Sequence, residues 1–211
     1  MAESLQRLAE RIGRVAHDCY DGRALRVAIL KEIERAIPFD AYAWLLTDPE
    51  TEVGSDPLAD VPCLPELPKL IGLKYSTEIN RWTRLTGAVG RLQADTGGQP
   101  ERSLVWRELL SGYDVSDMAS IVFRDRFGCW GFLDLWRIGG RRFSDPEAEY
   151  LAAIAPRMTD RLRALQAQTF VAQPPPNLAE GAAVLVLAPD LQVRAQTAHT
   201  EAYLRALVPP E

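Results

Sequence analysis

Residues 117–168 constrain the fold of this chain more than any other segment. Two strand patterns, at about 117–124 and 129–138, flank the turn sequence RDRFG, which is typical of a tight hairpin. A long helix is predicted after them, because Ser144 suits an N-cap, Pro146 an early helical position and Glu147 the far side of a capping box. This helix is expected to continue to about Gln168. The second strand runs directly into it, so strand and helix cannot move independently.

The first part of the chain predicts two helices and one strand. A helix over 3–19 carries one apolar stripe, and a second helix over 23–37 ends at Pro38. The segment FDAYAWLLT, 39–47, predicts a strand with apolar residues on both faces, which is typical of a central position in a sheet. The stripe of the first helix consists of Leu5, Leu8, Ile12, Val15 and Cys19.

The middle of the chain, 54–113, is less regular. Its first part is rich in proline, which predicts mostly loop with a short helix at about 65–72. Another turn or short helix is expected in KYSTEINRWTRL, followed by a Gly-rich connection over 88–100. A compact helix over 103–113 is expected to be capped by Ser103 and stopped by Gly112.

Composition excludes several functional classes. The 211 residues carry a net charge of −5, so the chain as a whole lacks the positive charge that nucleic-acid binding requires. No apolar run approaches the length of a membrane helix, and the N-terminus does not resemble a secretory signal. Three cysteines without a CxxC pair predict reduced thiols in a cytoplasmic protein. His17 and His199 lack ligand-spaced companions, so neither a metal site nor a cofactor is predicted.

The C-terminal part of the chain is set apart by a proline-rich linker, VAQPPPNLAEG, whose consecutive prolines predict an extended spacer over 171–180. Residues 181–211 predict a strand, a turn at Pro189-Asp190, a second strand and a helix. Thirty residues of this kind cannot bury a core alone. They either pack against the first domain or form the start of a longer domain.

The order of these elements resembles a GAF domain. The segment GCWGFLDLWRIGGRRFSDPEAEYLAAIAPRM is similar to the end of that fold, where a Gly-containing strand passes through a basic turn into Phe-Ser-x-x-Glu and the last helix. More narrowly, several blocks over about 20–170 resemble the sensor regions of actinobacterial LuxR-type transcriptional regulators. These blocks are FDAYAWLLTDP, PLADVPCLPELPKLI, LKYSTEINRW, SLVWRELL and FRDRFGCWGFLDLWR.

This resemblance implies an α+β fold, with a GAF-like antiparallel sheet flanked by helices and a short C-terminal β-hairpin and helix extension. Residues 1–170 would form the sensory domain, and 181–211 resemble the incomplete start of a PAS-like segment. Regulators of this type bind DNA through a C-terminal helix-turn-helix, a segment that the sequence lacks. The resemblance therefore implies an amino-terminal portion of a longer regulator, with DNA bound only by a downstream domain.

Asp134 is the one acidic residue inside the apolar strand 129–138, so its burial demands a partner. Strict alternation places Trp130, Phe132, Asp134 and Trp136 on one face of this strand and Cys129, Gly131, Leu133 and Leu135 on the other. One reading has Asp134 contact a ligand amine or hydroxyl. The favoured reading pairs it with an arginine among Arg124, Arg126, Arg137, Arg141 and Arg142. By resemblance to GAF relatives, the ligand side would be the face of Gly131, Leu133 and Leu135.

A small-molecule pocket is predicted between the sheet and the 73–110 layer. Apolar walls with a few polar groups are typical of such sites. Two alternatives compete with this reading: the aromatic residues fill an ordinary core, or the polar ones lie in a solvated loop. A collapsed core without a cavity would leave a domain that only dimerises. The predicted ligand-binding residues are Trp44, Tyr75, Asn80, Trp82, Trp106, Leu133 and Leu135.

Two functional classes remain. The first, which the sequence favours, is a non-enzymatic sensory region of a cytoplasmic transcriptional regulator, with an unidentified small-molecule ligand and no membrane partner. Its first and last helices are expected to form a homodimer interface, through the stripe of the 3–19 helix and the residues Leu151, Ile154, Met158 and Leu162. The second is a small GAF-scaffold enzyme similar to methionine sulfoxide reductases that use cysteine chemistry. Cys63 and Cys129 are expected to be plain buried thiols instead, because no histidine lies near either one in the sequence.

Overall fold

A computed structural model describes residues 22–169, 184–188, 192–197, 200, 201 and 204 of the chain. Its contacts divide the chain into two compact units, Met1–Ala167 and Gln168–Glu211. The predicted first helix over 3–19 and the linker over 171–180 lie outside the described residues. Among those residues, none of the helices combines the length and the apolarity that a membrane span requires.

The first unit is built on a five-stranded antiparallel sheet with the strand order β2-β1-β5-β4-β3. This arrangement confirms the predicted α+β class, and the predicted central strand β1 lies between β2 and β5. The strands are β1 Ala41–Thr47, β2 Gly54–Asp60, β3 Val89–Arg91, β4 Val115–Asp125 and β5 Gly128–Ile138. The helices are α1 Gly22–Ala36, α2 Leu67–Ser76, α3 Leu92–Asp95, α4 Leu104–Glu108 and α5 Asp145–Thr169.

The two long helices α1 and α5 cover one face of the sheet, which we call the helix side. Their apolar stripes meet the inward residues of β1, β4 and β5 in one core cluster. The start of α5 is capped as predicted, because Glu147 Oε2 accepts hydrogen bonds from both the backbone N–H and the hydroxyl of Ser144, each at 2.8 Å. The helix contributes Leu151, Ile154, Ala155, Met158, Leu162 and Leu165 to this core.

The short and irregular elements over 61–113 cover the opposite face, which we call the layer side. They pack on β1, β4 and β5 in two further clusters, one around Trp136 and Leu70 and one around Trp82 and Phe132. Single turns of 3₁₀-helix at Leu64–Glu66, Trp82–Arg84, Pro100–Arg102 and Leu110–Tyr113 link the helices of this layer.

Two short edge strands correct the sequence-based description of the middle segment. We predicted loop over 54–60, but this stretch forms β2, and the Gly-rich connection after residue 88 contains β3 and α3. The proline in β2, Pro57, hid the strand, although an edge strand tolerates a proline because one side of its backbone needs no strand partner. Both strands lie at the edges of the sheet and have few apolar residues, so neither carries the alternating pattern that reveals a strand in sequence.

The second unit contains a two-stranded antiparallel sheet. Strand β6, Leu185–Leu187, pairs with β7, Val193–Gln196, and residues 200, 201 and 204 are helical. The two strands are confirmed in the predicted order, and most of the helix predicted after them lies outside the described residues.

Candidate functional site

A bulge in β5 decides which of its side chains face the layer. Phe123 of β4 pairs with Gly131, but the next residue, Arg124, pairs with Cys129, so β5 contains one extra residue at Trp130. Trp130 consequently packs against the helix-side core, whereas Cys129 joins the layer-side cluster of Phe132. The predicted alternation is therefore confirmed from Gly131 onward and wrong at Cys129 and Trp130, because sequence alternation assumes an unbroken register.

Gly131 of β5 lies against the backbone of β1 with no room for a side chain. A Cβ atom at this position would lie 2.7 Å from the carbonyl oxygen of Leu45, a contact that no larger residue can make without moving the strand. The small residue thus fixes the strand pair beside the bulge, and it does so on the helix side, away from the layer.

A row of small and polar residues crosses the layer side of the sheet. Ala43 of β1 pairs with Asp134, Asp134 with Ser120 of β4, and Ser120 with Gly90 of β3. The small side chains leave room above the sheet, and the fully buried side chain of Lys74 from α2 enters this room.

The Lys74 ammonium group is surrounded by acceptors. Its Nζ lies 3.0 Å from the carbonyl oxygen of Asn80, 2.8 Å from Ser120 Oγ and 3.3 Å from Asp134 Oδ1, which matches the three donors of an ammonium group. Burial lowers the pKa of Lys74, and the neighbouring Asp134 carboxylate opposes that change. Asp134 therefore has a cationic partner, but it is this lysine and not one of the arginines we predicted.

Trp82 closes the site from the layer. Its indole stacks on Phe132 with a centroid distance of 4.9 Å and an interplanar angle of 6°, and its Nε1–H donates to Asp134 Oδ1 at 3.0 Å. The Lys74 ammonium lies 5.1 Å from the centre of the indole, within cation–π range. Tyr75 meets the edge of Trp82, while its hydroxyl donates to the carbonyl oxygen of Glu52 and accepts from the N–H of Gly54.

Two polar atoms in this cluster have no hydrogen-bond partner among the described residues: Asp134 Oδ2 and Asn80 Nδ2. Asp134 is fully buried and Asn80 is 8% exposed. A buried carboxylate oxygen or amide without a partner costs free energy, and native proteins leave few of them. The cluster consequently keeps one acceptor and one donor unused beneath the layer.

The structure brings together three of the seven predicted ligand-binding residues. Asn80 and Trp82 contact Lys74, and Tyr75 packs against Trp82. Trp106 lies on the same side but packs in the cluster around Trp136, with its Nε1–H donating to the carbonyl oxygen of Val115. We placed Trp44, Leu133 and Leu135 on the same side, and that placement is wrong. All three pack on the helix side with α1 and α5. Leu133 and Leu135 flank Asp134 in β5, and Trp44 pairs with Leu133 across to β1, so these side chains point away from the layer.

Sequence reasoning missed Lys74 and Ser120. Lys74 follows Leu70 by one helical turn and shares its buried face, so a lysine in phase with the apolar positions of LPKLIGLKYS was an available signal. Ser120 gave a weaker sequence signal, because a serine within an apolar strand such as β4 has several ordinary explanations.

The two described cysteines are fully buried in different clusters, Cys63 with Trp136 and Cys129 with Phe132. Burial raises the pKa of both thiols, which disfavours the reactive thiolate. Among the residues that the structure describes, no group of histidine, cysteine and acidic side chains could hold a metal ion.

A separate open cavity of about 140 Å³ lies between β4 and the middle of α5. The charged side chains at its rim already have partners: Arg124 pairs with Glu52, and Asp125 pairs with Arg163. The cavity is lined by Ala88, Val122, Arg124, Asp125, Ala155, Pro156, Thr159 and Asp160.

Solved structures with a similar fold include a GAF domain, a chromophore-binding domain and a sensor-kinase domain. The GAF domain of a phosphoenolpyruvate-protein phosphotransferase from Coxiella burnetii superposes with a TM-score of 0.54 at 14% identity, over 80% of this chain and 98% of that one. The chromophore-binding domain of a bacteriophytochrome from R. palustris gives 0.55 at 14% identity, over 80% of this chain and 63% of that one. A domain of a putative two-component sensor histidine kinase from Sinorhizobium meliloti 1021 gives 0.52 at 16%, over 73% and 99%.

These similarities define a GAF-like fold for the first unit, as the sequence predicted. No family model matches the chain, and no curated protein matches it. At 14–16% identity the structural similarity establishes the fold alone.

Proposed function

We propose that this chain is a non-enzymatic sensory region of a cytoplasmic LuxR-type transcriptional regulator, in which a small organic molecule binds on the layer side at Asp134. The observation that carries the proposal is the fully buried Lys74–Asp134 pair, which keeps a carboxylate oxygen without a partner. A buried ion pair is often no more stabilising than apolar residues of the same volume. Its presence beneath an irregular layer therefore favours a binding role over a purely structural one.

The non-enzymatic part of the proposal rests on the described thiols. Cys63 and Cys129 are separated into two core clusters and both are fully buried, which does not suit the paired, accessible cysteines of a sulfoxide reductase. A reductase assay with the purified chain and with a Cys63→Ser, Cys129→Ser variant should give equally low turnover. Turnover that depends on these thiols would contradict the proposal.

A constitutive dimerisation module is the second candidate. The observation that favours it is the complete burial of Trp82, whose ring fills the space in which we predicted a pocket. A ligand would have to displace side chains of the layer to reach Asp134, so the two candidates differ in whether any small molecule binds here.

A thermal-shift screen of small metabolites separates the two candidates. A ligand at 100 times its dissociation constant stabilises the folded state by about 2.7 kcal/mol, which corresponds to roughly 5–10 °C for a domain of this size. Hits of this kind should disappear in Asp134→Asn.

The matched control is Asp117→Asn. Asp117 is also fully buried, but its carboxylate accepts backbone N–H bonds from Gln93, Met118 and Phe143. This variant should lose stability and keep the hits. A screen without hits, or hits that survive in Asp134→Asn, would leave the dimerisation module.

A further inference from the structure

The layer segment 77–88, which we call the strap, has two direct hydrogen bonds to the sheet among the described residues: one from the N–H of Val122 to the carbonyl oxygen of Ala88, at the end that leads into β3, and one made by a side chain, that of Trp82. In the described part of the chain, the hydrogen bond that joins residues 78–86 directly to the sheet runs from Trp82 Nε1 to Asp134. The other hydrogen bonds that residues 78–86 make in this part of the chain stay within the strap or reach α2: Arg81 donates to the carbonyl oxygens of Thr77 and Ser76, and Asn80 accepts from Lys74. Removing the Trp82 indole from its place would therefore break the direct hydrogen bond between residues 78–86 and the sheet.

The contacts of this indole are of the kind that a bound aromatic ligand would make. A parallel stack on Phe132, an N–H donated to a carboxylate and an ammonium group over the ring face are all made by the ring itself. They depend on the aromatic plane and on one N–H group, so a free molecule with the same features could make all of them.

The site also offers more than Trp82 uses. Asp134 Oδ2 can accept a further hydrogen bond, and Asn80 Nδ2 can donate one. A free molecule with an additional polar substituent can satisfy groups that the tethered indole leaves unpaired, which gives it an advantage over Trp82 in the competition for the site.

We infer that the ligand of this site is a planar bicyclic aromatic molecule with an N–H donor and a further polar substituent, and that it binds by displacing the Trp82 indole from its contacts with Phe132, Asp134 and Lys74. This inference rests on the proposed sensory function and specifies its ligand. In the ligand-free protein the Trp82 side chain then occupies the ligand position and holds the strap against the sheet. Its competition lowers the apparent affinity of the wild-type chain, since only the open state can bind.

Trp82→Ala with indole as the probe tests the chemistry of the site. Removal of the competing ring should let indole bind at least about tenfold more tightly than it binds the wild type. Benzothiophene has nearly the same shape but no N–H, so it should bind at least about tenfold more weakly than indole, because it cannot donate the hydrogen bond that Asp134 receives from indole. Calorimetric titration measures both affinities.

Chemical rescue keeps this test decisive if Trp82→Ala folds poorly. Indole should then restore the circular dichroism and the melting transition of the variant, and benzothiophene at the same concentration should restore less. Equal effects of the two compounds, or no effect of either, would overturn the inference.

Fluorine NMR follows the displacement in the wild-type chain. The chain contains five tryptophans, so 5-fluorotryptophan labelling gives a small set of resonances, and Trp82→Phe assigns the one of interest. Compounds that stabilise the wild type in the metabolite screen should move the Trp82 resonance toward that of exposed tryptophan and leave Trp44 in place. If such compounds bind while the Trp82 resonance is unchanged, the displacement is wrong and the sensory role stands.

Discussion

At the scale of single residues, the Lys74–Asp134 pair is the least expected feature of the core. Both side chains are fully buried, and the energy of desolvating two charges is offset by their attraction, by the hydrogen bonds that Lys74 donates to Ser120 and Asn80, and by the one that Trp82 donates to Asp134. Removing one partner of such a pair destabilises the fold, because it leaves the other charge buried alone, whereas replacing both partners with apolar residues need not. This distinction can be measured.

Single substitutions in the pair should be far more costly than the double substitution. Lys74→Met and Asp134→Leu should each lower the free energy of unfolding by about 3–5 kcal/mol, because each leaves a buried charge without its partner. The double variant should be within about 1 kcal/mol of the wild type or more stable. Urea unfolding of the wild type, the two single variants and the double variant completes a double-mutant cycle. If the losses in free energy of unfolding are additive, the two charges do not interact.

Glu147, at the start of α5, makes the stability of the domain depend on pH. Burial alone would raise the pKa of Glu147, but hydrogen bonds from Arg137 and from Ser144 outweigh it and hold that pKa below its ordinary value of 4.5. A depressed carboxyl pKa in the folded state stabilises above the unfolded pKa, and that contribution is lost as the pH falls through the folded value.

The wild type should therefore exceed Glu147→Gln in stability at pH 6–7, and the difference should shrink as the pH is lowered below about 4.5. Melting temperatures of the two proteins across this range measure it. Glu149→Gln, a change in an exposed acid of the same helix, is the control and should follow the wild-type curve. A difference that stays constant with pH would show that the hydrogen bonds of Glu147 do not set its protonation.

At the scale of elements, the sequence predicted the parts with strong periodicity and missed those fixed by distant contacts. The capped helix α5, the hairpin β4–β5 and the central strand β1 were all predictable, because their signals lie within each segment. The edge strands β2 and β3 form because a neighbouring strand offers hydrogen bonds. The bulge at Trp130 likewise depends on the register with β4, and it moved the predicted face of Cys129.

The candidate site shows the same difference between local signals and distant contacts. Tyr75, Asn80 and Trp82 could be predicted as a group because they lie close together in one irregular segment that is rich in polar and aromatic residues. The pairing of Lys74 with Asp134 joins positions sixty residues apart and is set by how α2 lies on the sheet. No local pattern of the sequence contains that information.

The strap is linked to the start of α5 through β3, the strand that follows it. Arg91 of β3 donates to the carbonyl oxygen of Phe143 at 2.8 Å and pairs with Asp145, the first residue of α5. Asp117 accepts from the backbone of both Gln93 and Phe143 and so joins α3 to the same turn. Movement of the strap would reach this helix through these bonds.

Arg91→Met should loosen this connection. Hydrogen exchange over 142–150 should become faster, while the free energy of global unfolding falls by no more than about 1 kcal/mol, because Asp145 is largely exposed. A compound that stabilises the wild type should protect 142–150 in the wild type and not in this variant. Arg84→Met, in an exposed arginine of the strap, is the control. Equal protection in Arg91→Met would show that the helix does not respond through β3.

At the scale of the whole molecule, the proposed homodimer depends on one of the two helices that were predicted to form its interface. The stripe of α5 was expected to contribute to the interface, but Leu151, Ile154, Met158 and Leu162 are buried in the helix-side core. They therefore have no apolar surface left to pair with a second copy. The proposal now rests on the stripe of the predicted 3–19 helix, which lies outside the described residues.

Leu8→Glu should convert the dimer into a folded monomer, because it places a charge in the centre of the stripe formed by Leu5, Leu8, Ile12 and Val15. Gln6→Glu adds the same charge off the stripe and should remain dimeric. Met158→Glu should instead unfold the domain, since it buries a carboxylate in the core. Light scattering gives the mass and circular dichroism the folded fraction. A wild type that is monomeric at high micromolar concentration, or a Leu8→Glu variant that stays dimeric, would rule out this interface.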